Sequence, residues 1–127
     1  MNAKEAASLA AAPGDRLADT IETLVRLGLR SAVITAGAGP VTAFDAHGAF
    51  AVTPPPPRTV ADVTGAGDAL AGVAIASTMG GVPFRDALRA GLAAAMLTIE
   101  SNSAVAGFDR AALDGALALV PEPQAVA

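Results

Sequence analysis

The 127-residue sequence predicts an α/β domain, and three features support that prediction. Apolar residues make up 53% of the chain, enough to bury a sizeable core, which argues against wholesale disorder. Ser31–Thr35 is a short, β-branched apolar run between glycines, as expected for a buried strand. The segment before it, about Arg16 to Leu27, predicts a helix that ends at Gly28. A helix, a glycine and a buried strand form the second half of an α/β unit.

The neighbouring elements follow from apolar patterns and from the residues that interrupt them. Residues 2–12 predict a short Ala-rich helix that a Pro-Gly pair ends, with Asp15 as the N-cap of the next helix. Val41–Phe44 and Ala49–Val52 predict two strands, and the Asp-Ala-His-Gly sequence between them is typical of a turn. The Pro54–Pro57 run then predicts an extended surface crossing.

The second half of the chain is predicted to be mainly helical. Three segments have helical patterns: about Ala66 to Met79, roughly Pro83 to Glu100, and about Asp109 to Leu119. The tail PEPQAVA is predicted to be frayed. Within the helices we expect Met79 and Met96 in the core, and Gly72 and Gly91 at points of close packing. We expect a solvated position for three arginines, namely Arg85, Arg89 and Arg110.

Composition and charge exclude several classes of function. Eight Lys and Arg against twelve Asp and Glu give a net charge of −4, and no basic cluster is present, which argues against a nucleic-acid partner. The absence of Cys excludes disulfides, thiolate zinc sites and a Cys nucleophile, and the lone His47 cannot build a multi-histidine metal site. No apolar run is long enough to span a bilayer, and the N-terminal residues lack signal-peptide features. We therefore expect no membrane partner and a soluble, cytoplasmic protein.

The segment Asp62-Val-Thr-Gly-Ala-Gly-Asp68 carries the strongest chemical signal. Gly65, Ala66 and Gly67 have almost no side chains and open a helix, so their N–H groups can approach an anion closely. No Lys follows the glycines, which excludes a Walker A loop. Asp68, in the first turn beside this predicted anion hole, can accept a proton from a hydroxyl that attacks a phosphoryl group. The alternative is a tight helix entry with a capping acid.

This segment resembles the Asp-Thr-x-Gly-Ala-Gly-Asp signature of the ribokinase-like (PfkB) carbohydrate kinases, and two other motifs match in order. Asn2-Ala-Lys-Glu5-Ala6 resembles the family's Asn-x-x-Glu motif, and Val33-Ile-Thr35-Ala-Gly37 resembles its strand and Thr-x-Gly turn. The resemblance covers nearly the entire chain. It implies the C-terminal, nucleotide-binding part of a three-layer α/β/α fold, with residues 1–127 as one partial domain. Within the family, Leu92–Ser101 and Ala104-Val105 are most similar to pseudouridine kinases.

The resemblance implies a role for each matched residue in the transfer of a phosphoryl group from ATP. Asp68 matches the catalytic base, and the Gly65, Ala66 and Gly67 backbone matches the anion hole. Asn2 and Glu5 match the residues that hold hydrated Mg²⁺.

Five further residues are assigned to contacts with nucleotide or cation. Thr35 and Gly37 match the nucleotide contact, and Asn102 (or Ser103) would line the adenine pocket, although a surface helix end is the simpler role for the Glu100–Asn102 region. Asp62 and the Thr64 carbonyl match a loop that binds a monovalent cation such as K⁺ in many members. The implied acceptor is a sugar or nucleoside hydroxyl, with pseudouridine first.

The chain also departs from the family pattern. Val63 replaces a common Thr, and Pro40, which lacks an N–H, stands where a second glycine is usual and so removes one possible nucleotide contact. Nothing matches the N-terminal half, which carries the acceptor-binding residues and the lid. We therefore expect a homo-oligomer, formed for example by strand exchange, or a complementary N-terminal half. Two rivals stay open: an inactive relative that binds nucleotide or only self-associates, and an unrelated α/β protein that binds another phosphorylated ligand.

Overall fold

The computed structural model describes residues 1–11, 16–102 and 107–126. Its contacts divide the chain into two compact units. The first unit comprises Met1–Thr53 with Pro123–Ala127, and the second comprises Pro54–Glu122. Each unit has its own elements and its own buried residues, and each is described by itself.

The first unit contains two helices and a four-stranded sheet. Its elements are α1 (Ala3–Leu9), α2 (Leu17–Arg26), β1 (Ala32–Ile34), β2 (Val41–Asp45), β3 (Gly48–Val52) and β4 (Gln124–Ala125). The strand order is β1-β2-β3-β4, and every neighbouring pair is antiparallel. The predicted hairpin is confirmed, with Ala43 opposite Phe50. Its turn is closed by the Asp45 carboxylate, which accepts a hydrogen bond from the His47 N–H at 2.8 Å.

The core of the first unit joins both helices to the sheet. A buried cluster draws on α1, its C-cap, α2, β1 and β2, and consists of Ala6, Ala10, Leu24, Ile34 and Phe44. Phe50 on β3 is also fully buried. The small Ala6 and Ala10 side chains let α1 lie close to these residues, as the Ala-rich composition leads one to expect.

The C-terminal tail corrects one prediction, because it is not frayed. Gln124–Ala125 forms β4, which pairs with β3 at Ala51 and Phe50. The Val126 N–H also donates to the Ala49 carbonyl at 3.1 Å. The outer edge of the hairpin presents unpaired backbone groups, and even a short segment without helical or strand periodicity can satisfy them.

The second unit is built from three helices: α3 (Ala66–Met79), α4 (Phe84–Ile99) and α5 (Arg110–Leu117). The predicted bounds of α3 are confirmed, and those of α4 and α5 are correct within two residues. Asp109 caps α5 by accepting a hydrogen bond from the Ala112 N–H at 2.8 Å. Leu88, Leu92 and Met96 on α4 are buried, so α4 forms the centre of this unit.

Side-chain burial in the second unit confirms some expectations and overturns others. A Cβ on Gly91 would lie 2.6 Å from the Leu70 carbonyl oxygen, so Gly91 marks a close approach of α3 and α4, as predicted. Gly72 has nothing within 4 Å of such a Cβ, and the prediction of close packing there is wrong. Met96 is in the core, but Met79 is 84% exposed, because only one face of α3 packs against other helices.

Arg89 is also not at a solvated position. Its side chain is 18% exposed and donates to the Val120 carbonyl at 2.9 Å. The guanidinium lies 3.2 Å from Glu122 as well, so it joins α4 to the segment after α5. Arg110 is exposed, as predicted. No helix in the described ranges is both long and apolar enough to cross a membrane.

Candidate functional site

In the first unit, Asn2 and Glu5 form a reciprocal pair at the start of α1. The Asn2 side chain accepts a hydrogen bond from the Glu5 N–H at 2.9 Å, and the Glu5 carboxylate accepts one from the Asn2 N–H at 2.8 Å. This is a capping box, which satisfies two backbone donors that the helix leaves unpaired. Both residues are exposed. The Asn-x-x-Glu spacing thus fixes two oxygen-bearing side chains in one place.

Thr35 lies directly beside this capping box. Asn2 forms a parallel bridge with Thr35, in which the Thr35 N–H donates to the Met1 carbonyl at 3.0 Å and the Ala3 N–H donates to the Thr35 carbonyl at 2.9 Å. The first motif and the end of β1 are therefore brought together by backbone pairing. No local pattern in the sequence predicts this pairing, since the partners lie more than thirty residues apart.

The turn after Thr35 is tight. Gly37 has a φ of 61°, in the left-handed region that favours glycine, and the Gly39 N–H donates to the Ala36 carbonyl at 3.0 Å. A Cβ at Gly39 would approach that same carbonyl to 3.1 Å. The backbone conformation therefore favours glycine at Gly37, and a side chain at Gly39 would crowd the Ala36 carbonyl. Pro40 follows this turn and has no N–H to donate.

In the second unit, the Asp62–Asp68 loop is ordered by its own residues. The Asp62 carboxylate accepts a hydrogen bond from the Thr64 N–H at 2.8 Å. Gly65 has a φ of 83°, which reverses the chain into α3. The Ala69 N–H donates to the Gly65 carbonyl at 2.9 Å, and within the described residues no side chain caps the N-terminus of this helix. The Ala66 N–H donates to the Val63 carbonyl at 3.3 Å, so the later N–H groups of the first turn are the ones that an anion could approach.

The charges at this loop are set by the same contacts. The Thr64 backbone N–H, and after it the Thr64 hydroxyl, lower the pKa of Asp62 below its ordinary value, because both stabilise the carboxylate. Asp68 lies in the first turn of α3 and is exposed. The loop therefore presents helix-end N–H groups and a solvent-accessible carboxyl group side by side, as the sequence predicts.

Glu100 is a residue that the sequence analysis misinterpreted, and Arg58 is one that it missed. Glu100 is not a solvated helix end: its side chain is 10% exposed and pairs with Arg58 at 2.7 Å. The two residues are 42 positions apart, and no spacing rule connects them. Asn102 is exposed, two residues past this pair. Asp15, Ser103 and Ala104-Val105, which the sequence analysis singled out, lie outside the described residues.

The described residues offer oxygen ligands rather than a preformed metal cluster. Asn2 with Glu5, and Asp62 with the Thr64 carbonyl, supply carboxylate, amide and carbonyl oxygens, the donors that Mg²⁺ and K⁺ prefer. Within the described ranges no group of three or more His, Cys, Asp or Glu residues could hold a metal ion. The oxygen donors fit a hydrated Mg²⁺ that keeps most of its water.

Comparison with solved structures first defines the fold, which matches part of the ribokinase-like kinase fold. A carbohydrate kinase from Agrobacterium tumefaciens matches with a TM-score of 0.76 and 36% identity, over 99% of this chain and 40% of that one. A ribokinase from Arabidopsis thaliana, complexed with ribose and ATP, matches with a TM-score of 0.78 and 21% identity, over 91% and 39%. Phosphofructokinase-2 from Escherichia coli, in complex with potassium, gives 0.76 and 20%, over 92% and 38%.

The family follows from the sequence itself. The model of the pfkB family of carbohydrate kinases matches residues 1–110, and the chain belongs to that family. A comparison with curated proteins finds no match. The chain spans between 38% and 40% of the length of these three solved structures. The larger part of each relative has no counterpart here.

Proposed function

We propose that this chain is the nucleotide-binding part of a kinase that transfers the γ-phosphoryl group of ATP to a sugar or nucleoside hydroxyl. The observation that carries the proposal is the Asp62–Asp68 loop. The N–H groups at its uncapped helix end would donate hydrogen bonds to phosphoryl oxygens. The exposed Asp68 would accept the proton of the attacking hydroxyl. Family membership and the kinase neighbours support the same reaction class.

The role of each residue follows from its chemistry. Gly65, Ala66 and Gly67 carry no bulky side chain, so their backbone can stabilise charge on the transferring group. Deprotonated Asp68 takes the hydroxyl proton as the new O–P bond forms and the bond to the ADP oxygen breaks. Catalysis then consists of positioning and electrostatic stabilisation.

Nucleotide binding is proposed for Thr35, Gly37 and Asn102. The Thr35 N–H already donates to the Met1 carbonyl, so in this proposal Thr35 would contact the nucleotide through its hydroxyl and Gly37 through its exposed backbone. Asn102 is exposed past the end of α4 and offers an amide that can bind the base.

Two cation roles complete the proposal. Asn2 and Glu5 would hold Mg²⁺ through water, and Asp62 with the Thr64 carbonyl would hold K⁺. The metal would neutralise charge on the phosphates. The E. coli neighbour in complex with potassium supports the K⁺ role, and the Arabidopsis neighbour complexed with ATP supports the proposed nucleotide.

The acceptor is proposed to be a nucleoside, pseudouridine, attacking through its ribose 5′-hydroxyl. The support is the similarity of Leu92–Ser101 to pseudouridine kinases. The cytoplasmic location stays a prediction.

We also propose that activity requires a complementary polypeptide, equivalent to the part of the relatives that this chain lacks. The support is an exposed apolar face on α3, on the same side as Asp68. Ala71, Ile75 and Met79 follow Asp68 at helical spacing, and Ile75 and Met79 are 59% and 84% exposed. A helix that is apolar on all sides belongs in an interior. The solved relatives are longer chains, and we propose that the equivalent of their additional part covers this face.

The first experiment separates catalysis from binding with Asp68→Asn. The chain is combined with the non-matching part of the Agrobacterium kinase, and ADP formation with pseudouridine or ribose is measured alongside calorimetric binding of Mg·ATP. Asp68→Asn should abolish transfer and leave binding intact, because it removes the base but keeps the helix end. Asp86→Asn is the matched control, since Asp86 is also a first-turn acid, on α4. Equal losses in both variants would contradict the role of Asp68.

The second experiment tests the apolar face of α3 with Ile75→Asp. The substitution should prevent association with the complementary part, while the exposed control Leu119→Asp should not. Light scattering of the chain alone gives its mass. If wild type is a homodimer that Ile75→Asp dissociates, a second copy covers this face and the complementary-part proposal fails. Suppose that the chain associates with the complementary part and binds Mg·ATP but transfers no phosphoryl group to any acceptor. That result would favour the alternative of an inactive relative, which is also supported by the coverage of only 40% of the Agrobacterium kinase.

A further inference from the structure

Two attachments join the segment before the Asp62–Asp68 loop to the C-terminal end of α4. At the first, the Glu100 carboxylate accepts three hydrogen bonds from Arg58. The Arg58 N–H donates to Oε1 at 2.9 Å, Nε donates to Oε1 at 3.1 Å and Nη2 donates to Oε2 at 2.7 Å. At the second, the Ala61 and Asp62 N–H groups donate to the Ile99 carbonyl at 2.9 and 3.2 Å.

Both attachments satisfy groups that would otherwise cost free energy. The Ile99 carbonyl is among the last carbonyls of α4, which have no partner within the helix. Glu100 is nearly buried, and a buried carboxylate needs charge-assisted partners. The four prolines before Arg58 restrict the backbone, so the segment loses little further entropy when it is held.

These contacts give the loop a second fixed end. On its C-terminal side the loop continues directly into α3, and on its N-terminal side it is held at Ile99 and Glu100. The α3 and α4 helices are themselves in close contact at Gly91. The loop is therefore attached at one side to the start of α3 and at the other to the end of α4, and these two helices pack against each other. Both attachments determine the positions of the loop N–H groups.

We propose that Glu100 and Arg58 are positioning residues for the Asp62–Asp68 loop, which they hold against the end of α4 without touching the nucleotide. The inference rests on the proposed function, in which this loop binds phosphoryl oxygens. Anion binding by backbone N–H groups depends on their placement, because hydrogen bonds weaken steeply with distance and angle. Breaking the pair should leave the helices packed and let the loop move.

The test compares Glu100→Ala and Arg58→Ala, singly and together, with the control Arg110→Ala. Arg110→Ala breaks an exposed Arg–Asp pair on α5, in the same unit. Amide hydrogen exchange is followed in the loop and in α4, and the dissociation constant for Mg·ATP is measured by calorimetry. Glu100→Ala should accelerate exchange at residues 61–68, leave the α4 core protected, and weaken binding by about tenfold, as when partners that orient a ligating group are lost.

The double variant should be no worse than Glu100→Ala, since the two residues act as one unit. If Glu100→Ala unfolds, Glu100→Gln and Arg58→Ala replace it, because Glu100→Gln keeps an oxygen acceptor and Arg58→Ala keeps the backbone N–H donor. Unchanged loop exchange and unchanged binding in a folded variant would overturn the proposal and leave a purely structural ion pair. Failure of wild type to bind Mg·ATP would refute the proposed function alone, and hydrogen exchange would still decide whether the pair positions the loop.

Discussion

Gly91 is the position where the α3–α4 packing can be tested most directly. A Cβ there would lie 2.6 Å from the Leu70 carbonyl oxygen and 3.2 Å from the Ala74 side chain, whereas ordinary contact begins at 3.4 Å. The shortfall at Leu70 is about 0.8 Å, and the obstructing atom is backbone. Gly91→Ala therefore forces the two helices apart rather than rotating a side chain.

The expected cost follows from two opposing effects. Overpacking of this kind costs about 1–3 kcal/mol, while Gly→Ala in a helix interior returns up to about 1 kcal/mol. Gly91→Ala should therefore destabilise the chain by about 1–2 kcal/mol. Gly72→Ala is the matched control, because Gly72 is also inside a helix but has nothing within 4 Å of its Cβ position. It should stabilise by about 0.5–1 kcal/mol.

Urea unfolding followed by circular dichroism at 222 nm measures both variants under one condition. Changes in the free energy of unfolding that are opposite in sign for Gly91→Ala and Gly72→Ala would support the close approach of the helices at Leu70. If both variants gain stability by the same amount, helix propensity alone explains them, and the packing of α3 against α4 described here is wrong.

Three further outcomes are expected, each measured by urea unfolding. Phe50→Ala should cost about 3–5 kcal/mol, because Phe50 is fully buried in the first unit and its loss leaves a cavity; a loss below about 1 kcal/mol would contradict that burial. Asn2→Ala should cost about 1 kcal/mol through the lost cap of α1, and no change would mean that the capping box does not form in solution. Arg58 lowers the pKa of Glu100 in the folded chain. The pair therefore stabilises the fold at any pH above the pKa of this carboxyl group in the unfolded chain, and this stabilisation is lost as the pH falls through the pKa of Glu100 in the folded chain. Stability should therefore decline less between pH 7 and pH 3 in Glu100→Gln than in wild type, and an identical decline would refute the assignment.

Local sequence patterns predicted the helices and the hairpin well because the signals there are local. The bounds of α3 follow from the glycines that flank it, and the turn at His47 follows from an Asp-x-x-Gly sequence that closes on itself. The pairing of β4 with Ala51 could not be predicted, since it joins segments more than seventy residues apart and the tail segment has no strand periodicity. The prediction that Met79 lies in the core was wrong for a related reason. An apolar residue on a helix does not specify which other element of the chain covers it.

The same distinction applies to the candidate site. The candidate positions Gly65 and Gly67 could be predicted from residue type, because a tight helix entry demands small residues, whereas Asp62 was predicted from the resemblance to the family motif. The Arg58–Glu100 pair could not be predicted, since an arginine after four prolines and a glutamate at a helix end are each expected to be exposed to solvent. Only the structure shows that the Glu100 carboxylate accepts three hydrogen bonds from Arg58.

Most contacts that order the proposed phosphate-binding elements are local or lie within one unit. The capping box of Asn2 and Glu5 needs four residues, the Asp62–Thr64 turn needs three, and the Arg58–Glu100 pair closes inside the second unit. Such elements can form independently of an acceptor site, so the proposed nucleotide binding and the proposed acceptor binding should be separable. In the proposed function an acceptor must also reach Asp68, and we propose that a complementary part supplies the acceptor site. Loss of binding and loss of transfer should therefore respond to different substitutions, and that separation is what Asp68→Asn, Ile75→Asp and Glu100→Ala measure between them.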